Sequence, residues 1–132
     1  MNSPKKFLSI AVTVILISCS GSQSNNATEK VKSYMQGTYV RAFEGEYSKG
    51  NDTLVINQPD ENNNYYTIKH NSSYQKIRNK QLLPLEYKTE DWVAIFNEQT
   101  NVLEEQKKGK LISFLPDENA LLLGSSKFEK IK

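Results

Sequence analysis

Few residues in this chain could do chemistry, and their spacing limits what they could do. There is a single cysteine, Cys19, and a single histidine, His70. Glu44 and Glu46 are two apart, so on a strand both would face one side. Paired carboxylates in unequal surroundings can divide general-acid and general-base duty, but Gly45 between them and Lys49 nearby point to a solvated edge. Glu90 and Asp91 precede Trp92, which sets acids beside an aromatic platform. Trp92, Ala94 and Phe96 nevertheless alternate like the inward face of a strand. Asp60-Glu61-Asn62-Asn63 and Asp117-Glu118-Asn119 carry oxygen ligands without the spacing of a calcium loop, and Asx-turn chemistry accounts for both. His70 alternates with Tyr66 and Ile68, while Ser72 and Ser73 read as a turn, so no Ser-His-acid set is recognisable. No phosphate-cradling loop or zinc-protease motif is present. These residues predict no catalytic group, no metal and no cofactor.

The first nineteen residues say most about where the chain works. Lys5 and Lys6 precede an apolar run from Phe7 to Ile17, broken only by Ser9 and Thr13, and Ser18 sits directly before Cys19. That order is charged region, apolar region and small-residue cleavage site. As a helix the apolar run would rise about 16 Å, roughly half of a ~30 Å hydrocarbon core, too short for a span. Leu16-Ile17-Ser18-Cys19 resembles the lipobox of bacterial lipoproteins. The resemblance implies cleavage after Ser18 and acylation of Cys19, which then anchors the chain to a bilayer. Two or more acyl chains, at ~0.8 kcal/mol per buried methylene, suffice for stable anchoring. Ser20 follows the cysteine where an Asp would imply retention in the inner membrane. The tract is free of acid until Glu29. The expected location is the outer membrane, facing the periplasm.

Processing changes the charge. The formal +2 includes Lys5 and Lys6, and without residues 1–18 fifteen basic residues face fifteen acidic ones. Nothing resembles the Lys/Arg stripe that neutralises phosphates, so nucleic acid is excluded as a partner. With Cys19 acylated no thiol remains for a disulfide, a nucleophile or a cysteine zinc site. The expected partners are the bilayer, through Cys19, and an envelope protein. The best binding signal is aromatic: Tyr39, Tyr47, Tyr65, Tyr66 and Trp92 form the predicted surface, with Tyr74 and Tyr87 nearby. Tyrosine suits interfaces because its ring is apolar and its tip is wet. Adjacent Tyr65 and Tyr66 must face opposite sides of a sheet, so at least one lies outside the core.

The elements that position these residues are mostly strands. The domain plan is a signal segment over 1–18, a flexible Ser/Asn/Gln/Gly tether over 19–28 and a β domain over 29–132. Thr28 is placed to cap a short helix with Val31, Tyr34 and Met35 on one face, ended by Gly37. Strands are predicted at Thr38–Phe43, Gly45–Ser48, Thr53–Asn57, Tyr65–His70, Tyr74–Asn79, Trp92–Phe96, Val102–Gln106, Leu111–Leu115, Ala120–Leu123 and Lys127–Ile131. Turns are expected at 49–52, 58–63, 97–101, 107–109 and 116–119, with a longer connection from Lys80 through Pro84 to Asp91. Such short loops forbid parallel crossovers and predict an all-β antiparallel meander that curls into a small barrel or sandwich. A faint repeat relates 59–77 to 116–131, which would imply two similar three-strand units.

Gly37-Thr38-Tyr39, after a short helix and at the head of a meander, resembles the Gly-x-Trp opening of a lipocalin-type barrel, with Tyr39 in place of the Trp. The arginine that usually packs over it is absent, and Lys127 and Lys130 occupy that region. Gly45-Glu46-Tyr47 through Asp52–Ile56, with Gly109–Phe114, is also similar to small barrel lipoproteins carried on conjugative elements. Three function classes follow, in this order. The first is a non-catalytic interaction module, and the second is a small hydrophobic-ligand carrier. The third is an envelope hydrolase using Glu44, Glu46 and Asp91.

Overall fold

The computed structural model describes residues 22–132, with side chains from Asn26 onward. The expected signal segment, the expected cleavage residues Leu16, Ile17 and Ser18, and Cys19 lie outside the described residues. One helix, α1 (Ser22–Met35), precedes nine strands: β1 (Gly37–Glu44), β2 (Ser48–Asn57), β3 (Tyr65–Arg78), β4 (Gln81–Leu82), β5 (Glu86–Asn97), β6 (Val102–Glu105), β7 (Leu111–Leu115), β8 (Ala120–Leu123) and β9 (Ser126–Lys130). Every neighbouring pair is antiparallel, and each strand of β1, β2, β3, β5, β6, β7, β8 and β9 pairs with the next. The last returns to the first through Tyr39↔Lys130 and Val40↔Glu129. The result is a closed eight-stranded barrel of lipocalin-like architecture, as the short loops predict, because closure removes the open edges of a meander.

The barrel is asymmetric along its axis. Met35, Tyr39, Leu54, Ile56, Tyr66, Phe96, Leu103, Phe114 and Leu121 fill the end covered by α1, and the partly buried Val31 and Tyr34 pack against this core. Ile68, Trp92, Ile112 and Phe128 continue it inward. The Tyr39 hydroxyl bonds the carbonyls of Met35 (3.0 Å) and Tyr34 (3.1 Å), which have no partner inside the last helical turn. Lys130 donates to the Tyr34 carbonyl and places its ammonium 4.2 Å from the Tyr34 ring and 5.7 Å from the Tyr39 ring. A lysine thus fills the place of the expected arginine. Burial lowers its pKa. Gly37 has φ +150°, and a Cβ there would lie 2.2 Å from the Lys132 carbonyl oxygen. Only glycine lets the last residues pass this close.

Several predicted boundaries are corrected. α1 begins at Ser22, so the segment read as a tether is helical from that residue and Thr28 is not its cap. Thr28 Oγ1 instead donates to Asn101 Oδ1 at 2.8 Å, which pins the helix to the β5–β6 loop. Gly45–Tyr47 is the β1–β2 turn, closed by Gly45 N–H to Ser48 O at 2.8 Å, while 49–52 lies inside β2. Gly50 marks close backbone approach, since a Cβ there would meet Ser73 O at 2.1 Å and Tyr74 Cα at 2.7 Å. Likewise β3 runs unbroken through Ser72 and Ser73. The expected repeat therefore has no structural counterpart: its first copy holds one long strand where the second holds a hairpin at Gly124-Ser125. The long connection after Lys80 is replaced by a tight turn, with Asn79 (φ 50°) and Lys80 (φ 63°) both left-handed as a two-residue hairpin loop requires. β4 then continues beside β3, and Pro84 interrupts the ladder before β5 resumes at Glu86.

Candidate binding site

The end of the barrel away from α1 is polar inside. Alternation along the strands decides this: Arg41 follows Tyr39 on β1, Asp52 precedes Leu54 on β2, and His70 and Ser72 follow Ile68 on β3. All of them project into the lumen. The Asp52 carboxylate is the hub, only 6% exposed. Its Oδ2 accepts from Arg41 Nε at 2.9 Å and lies 2.8 Å from Arg41 Nη2. Its Oδ1 accepts from Ser72 Oγ at 2.5 Å and lies 3.2 Å from His70 Nε2. Burying a carboxylate is costly unless it is paired and hydrogen-bonded, and here both oxygens are satisfied.

Aromatic rings wall the cluster. The His70 and Trp92 centroids are 4.9 Å apart, and the Arg41 guanidinium lies 5.1 Å from the Phe43 ring and 5.4 Å from that of Phe128. Lys110 holds its ammonium 4.2 Å from the Trp92 ring. Trp92 Nε1 donates to Glu90 Oε2 at 2.9 Å, and Lys88 pairs with Glu90 at 2.8 Å. The hydrogen bonds from Lys88, then from Trp92, bring the Glu90 carboxyl down to about 2. Glu105, 2% exposed, organises the β6–β7 turn. Its carboxylate accepts the backbone N–H groups of Lys107 (2.7 Å), Lys108 (2.9 Å) and Lys110 (3.4 Å). Burial alone would raise its pKa, but those N–H groups outweigh burial and leave it below the ordinary range.

A serine, a histidine and an aspartate therefore meet where none were recognisable in the sequence, but their wiring differs from that of a serine triad. In a serine triad the imidazole stands between acid and hydroxyl and uses one nitrogen for each. Here Nε2 alone faces both, at 3.2 Å from Ser72 Oγ and 3.2 Å from Asp52 Oδ1. Nδ1 is buried with no hydrogen-bond partner among the described residues. The serine proton points at a carboxylate that Arg41 already neutralises.

The predicted aromatic surface divides in two. Tyr39 and Tyr66 are core residues, and Trp92 is buried with only its nitrogen serving Glu90. Tyr39 and Tyr66 are corrections, since their strand parity points inward, while Trp92 follows the expected inward face of Trp92, Ala94 and Phe96 and so leaves the predicted surface. Tyr47, 74% exposed, and Tyr65, 39% exposed, do face solvent, as does Tyr87 at 77%. Tyr47 and Tyr87 lie toward the polar end, near exposed Leu82 and Leu85. Tyr65 lies on the outer wall opposite Ile95. Glu44 ends β1 and Glu46 lies in the β1–β2 turn, both exposed, and Asp91 faces outward, so the three acids do not converge. Asp60 accepts from Asn62 N–H at 2.9 Å and Asn63 Nδ2 at 3.3 Å, the expected Asx-turn pattern. Asp117 and Glu118 pair with Lys30 and Lys127.

The surface cavities share this division. One of about 360 Å³ is bordered by Ala42, Lys49, Asn51, Gln75 and Leu85, and another of about 410 Å³ by Val55, Thr67, Lys69, Asp91 and Val93. A groove of about 410 Å³ runs past Tyr47, Tyr74, Ile77 and Arg78. Arg41, Asp52, Ser72, Glu105 and Lys110 escape the sequence reading. The signal that could have found them is even spacing from the apolar strand residues Tyr39, Leu54, Ile68, Leu103 and Ile112. The chain matches no protein-family model, no curated protein and no solved structure.

Proposed function

We propose that this chain is a membrane-anchored, non-catalytic binding module of the cell envelope. Acylated Cys19 holds it on the outer membrane facing the periplasm, and it works by contact with an envelope protein. One observation carries the contact reading: side chains occupy the barrel axis from both ends. Met35, Tyr39, Phe96 and Leu121 fill one half, and Arg41, Asp52, His70 and Ser72 tie up the other. A carrier of apolar ligands needs an apolar, accessible interior, so the filled lumen favours the interaction module over the carrier. The surface left for recognition of that protein is the rim with Tyr47 and Tyr87. The anchor reading draws on the charged, apolar and small-residue order that ends at Cys19.

Mass spectrometry of the chain from its native membranes tests the anchor. The expected product begins at a triacylated or diacylated Cys19, and Cys19→Ser moves the protein out of the membrane fraction. An intact Met1 or an unmodified thiol overturns the anchor. A photo-crosslinking residue at Tyr47 or Tyr87 tests the contact reading: one discrete envelope adduct is expected, and no adduct from either position overturns it.

A further inference from the structure

We propose that the outer wall formed by β3 and β5 is a self-association surface, whose occupant is a second copy of this chain. On the solvent side of this strand pair the register sets Tyr65 opposite Ile95, Thr67 opposite Val93 and Lys69 opposite Asp91. Tyr65 is 39% exposed, Val93 40% and Ile95 46%, and the half-buried Val55 adjoins them on β2. A contiguous apolar strip on a solvated sheet face marks an interaction site. At its edge lie two exposed opposite charges, Lys69 and Asp91, and neither enters an ion pair among the described residues.

This strip is complementary to itself. Two copies related by a two-fold axis that runs along the β3–β5 seam, between facing walls, bring β3 of one copy over β5 of the other. Each residue then meets the copy of its own cross-strand neighbour. Tyr65 meets Ile95, Thr67 meets Val93, and Lys69 meets Asp91, each twice, as an isologous interface requires. A partner of different sequence would need its own matching pattern, whereas this one is already present. Size sets the strength. Four strands ~4.8 Å apart and six or seven residues long present about 15 × 20 Å, well below the ~800 Å² per partner of a standard interface. The convex wall confines contact further, so the association belongs to the weak class, with dissociation near ~0.1 mM. The proposal does not require Cys19 to be acylated, so its failure leaves the anchored-module reading standing, and the reverse.

Sedimentation of the purified full chain in mild detergent, across a concentration series, tests it. The wild type is expected to dimerise, and Lys69→Asp and Asp91→Lys each to weaken dimerisation about tenfold, because each sets like charges face to face. Mixing the two single variants restores the wild-type constant within about threefold, since every 69–91 contact between unlike copies again joins an acid to a lysine. The double swap restores it too. Both positions are exposed, so the variants keep their fold, checked by circular dichroism. Micelle sharing moves every variant alike and cannot mimic this pattern. A wild type that stays monomeric to ~1 mM, or single variants that mixing does not rescue, overturns the proposal. So does crosslinking through Val93 that captures a different protein and no second copy.

Discussion

The Lys130 ammonium sits 4.2 Å from the centre of the Tyr34 ring, which joins the last strand to the helix that precedes the first. The same lysine reaches the Tyr39 ring and the Tyr34 carbonyl, so one side chain holds three elements together. Lys130→Met keeps the stem and removes the charge. It should cost about 1–2 kcal/mol, read as a fall of roughly 5–10 °C in melting temperature for a domain of this size. Lys130→Arg should recover most of that loss.

Gly50 tests how closely β2 and β3 approach. With Ser73 O 2.1 Å from any Cβ placed there, Gly50→Ala must push the two strands apart. The expected cost is at least about 2 kcal/mol by urea denaturation, more than the ordinary preference between the two residues. Faster amide exchange should be confined to β2 and the second half of β3.

Asp52→Asn breaks the hub of the polar lumen. Arg41 then keeps its stem in the lumen without its counter-charge, and the hydrogen bonds that Arg41 and Ser72 give the carboxylate lose their charge assistance. Because Arg41 is partly exposed, about 2–3 kcal/mol is expected rather than the larger cost of a fully buried pair. Ser72→Ala, which removes one donor from the same carboxylate, should cost only about 1 kcal/mol. A Ser72→Ala cost well above that of Asp52→Asn would contradict the assignment of Asp52 as hub.

Glu105 predicts a pH dependence with a definite sign. Its folded pKa lies below the ordinary 4.5, so its contribution is fully present above that value and fades as pH falls through the folded pKa. Glu105→Gln should therefore cost about 1–2 kcal/mol at neutral pH, and the gap to wild type should close in strong acid. A gap that stayed constant from about pH 7 to about pH 2 would rule out the carboxylate as the anchor of the turn.

Where the chain alternates cleanly, its strands are legible. Leu111–Leu115 and Ala120–Leu123 match to the residue, because apolar positions alternate and turn formers bracket them. Alternation fails as a guide where the strands run past the core. Residues 48–52, 71–74 and 86–91 carry polar side chains on both faces, since one face meets solvent and the other a polar lumen. Glycine, asparagine and serine there read as punctuation although they are strand interior. The same misreading hides the candidate site, because placing Asp52 and Ser72 in turns removes two of its four members. Tyr65 and Tyr66 are told apart by parity, and Trp92 is legible from its alternation with Ala94 and Phe96, whereas Tyr39 needs knowledge of which face closes on itself.

Eight register pairs hold β1 to β2, whereas two, with the Thr38 backbone bonds to Ile131 and Lys132, hold it to β9 and the residues after it. Tension arriving through α1 would enter the barrel at Gly37 and be shared unequally between those flanks. The shorter flank yields first, and the cylinder unrolls into a single sheet whose remaining strands stay laced in chain order. Any stretching experiment that grips the molecule by its helix should record that early, partial lengthening before the main rupture.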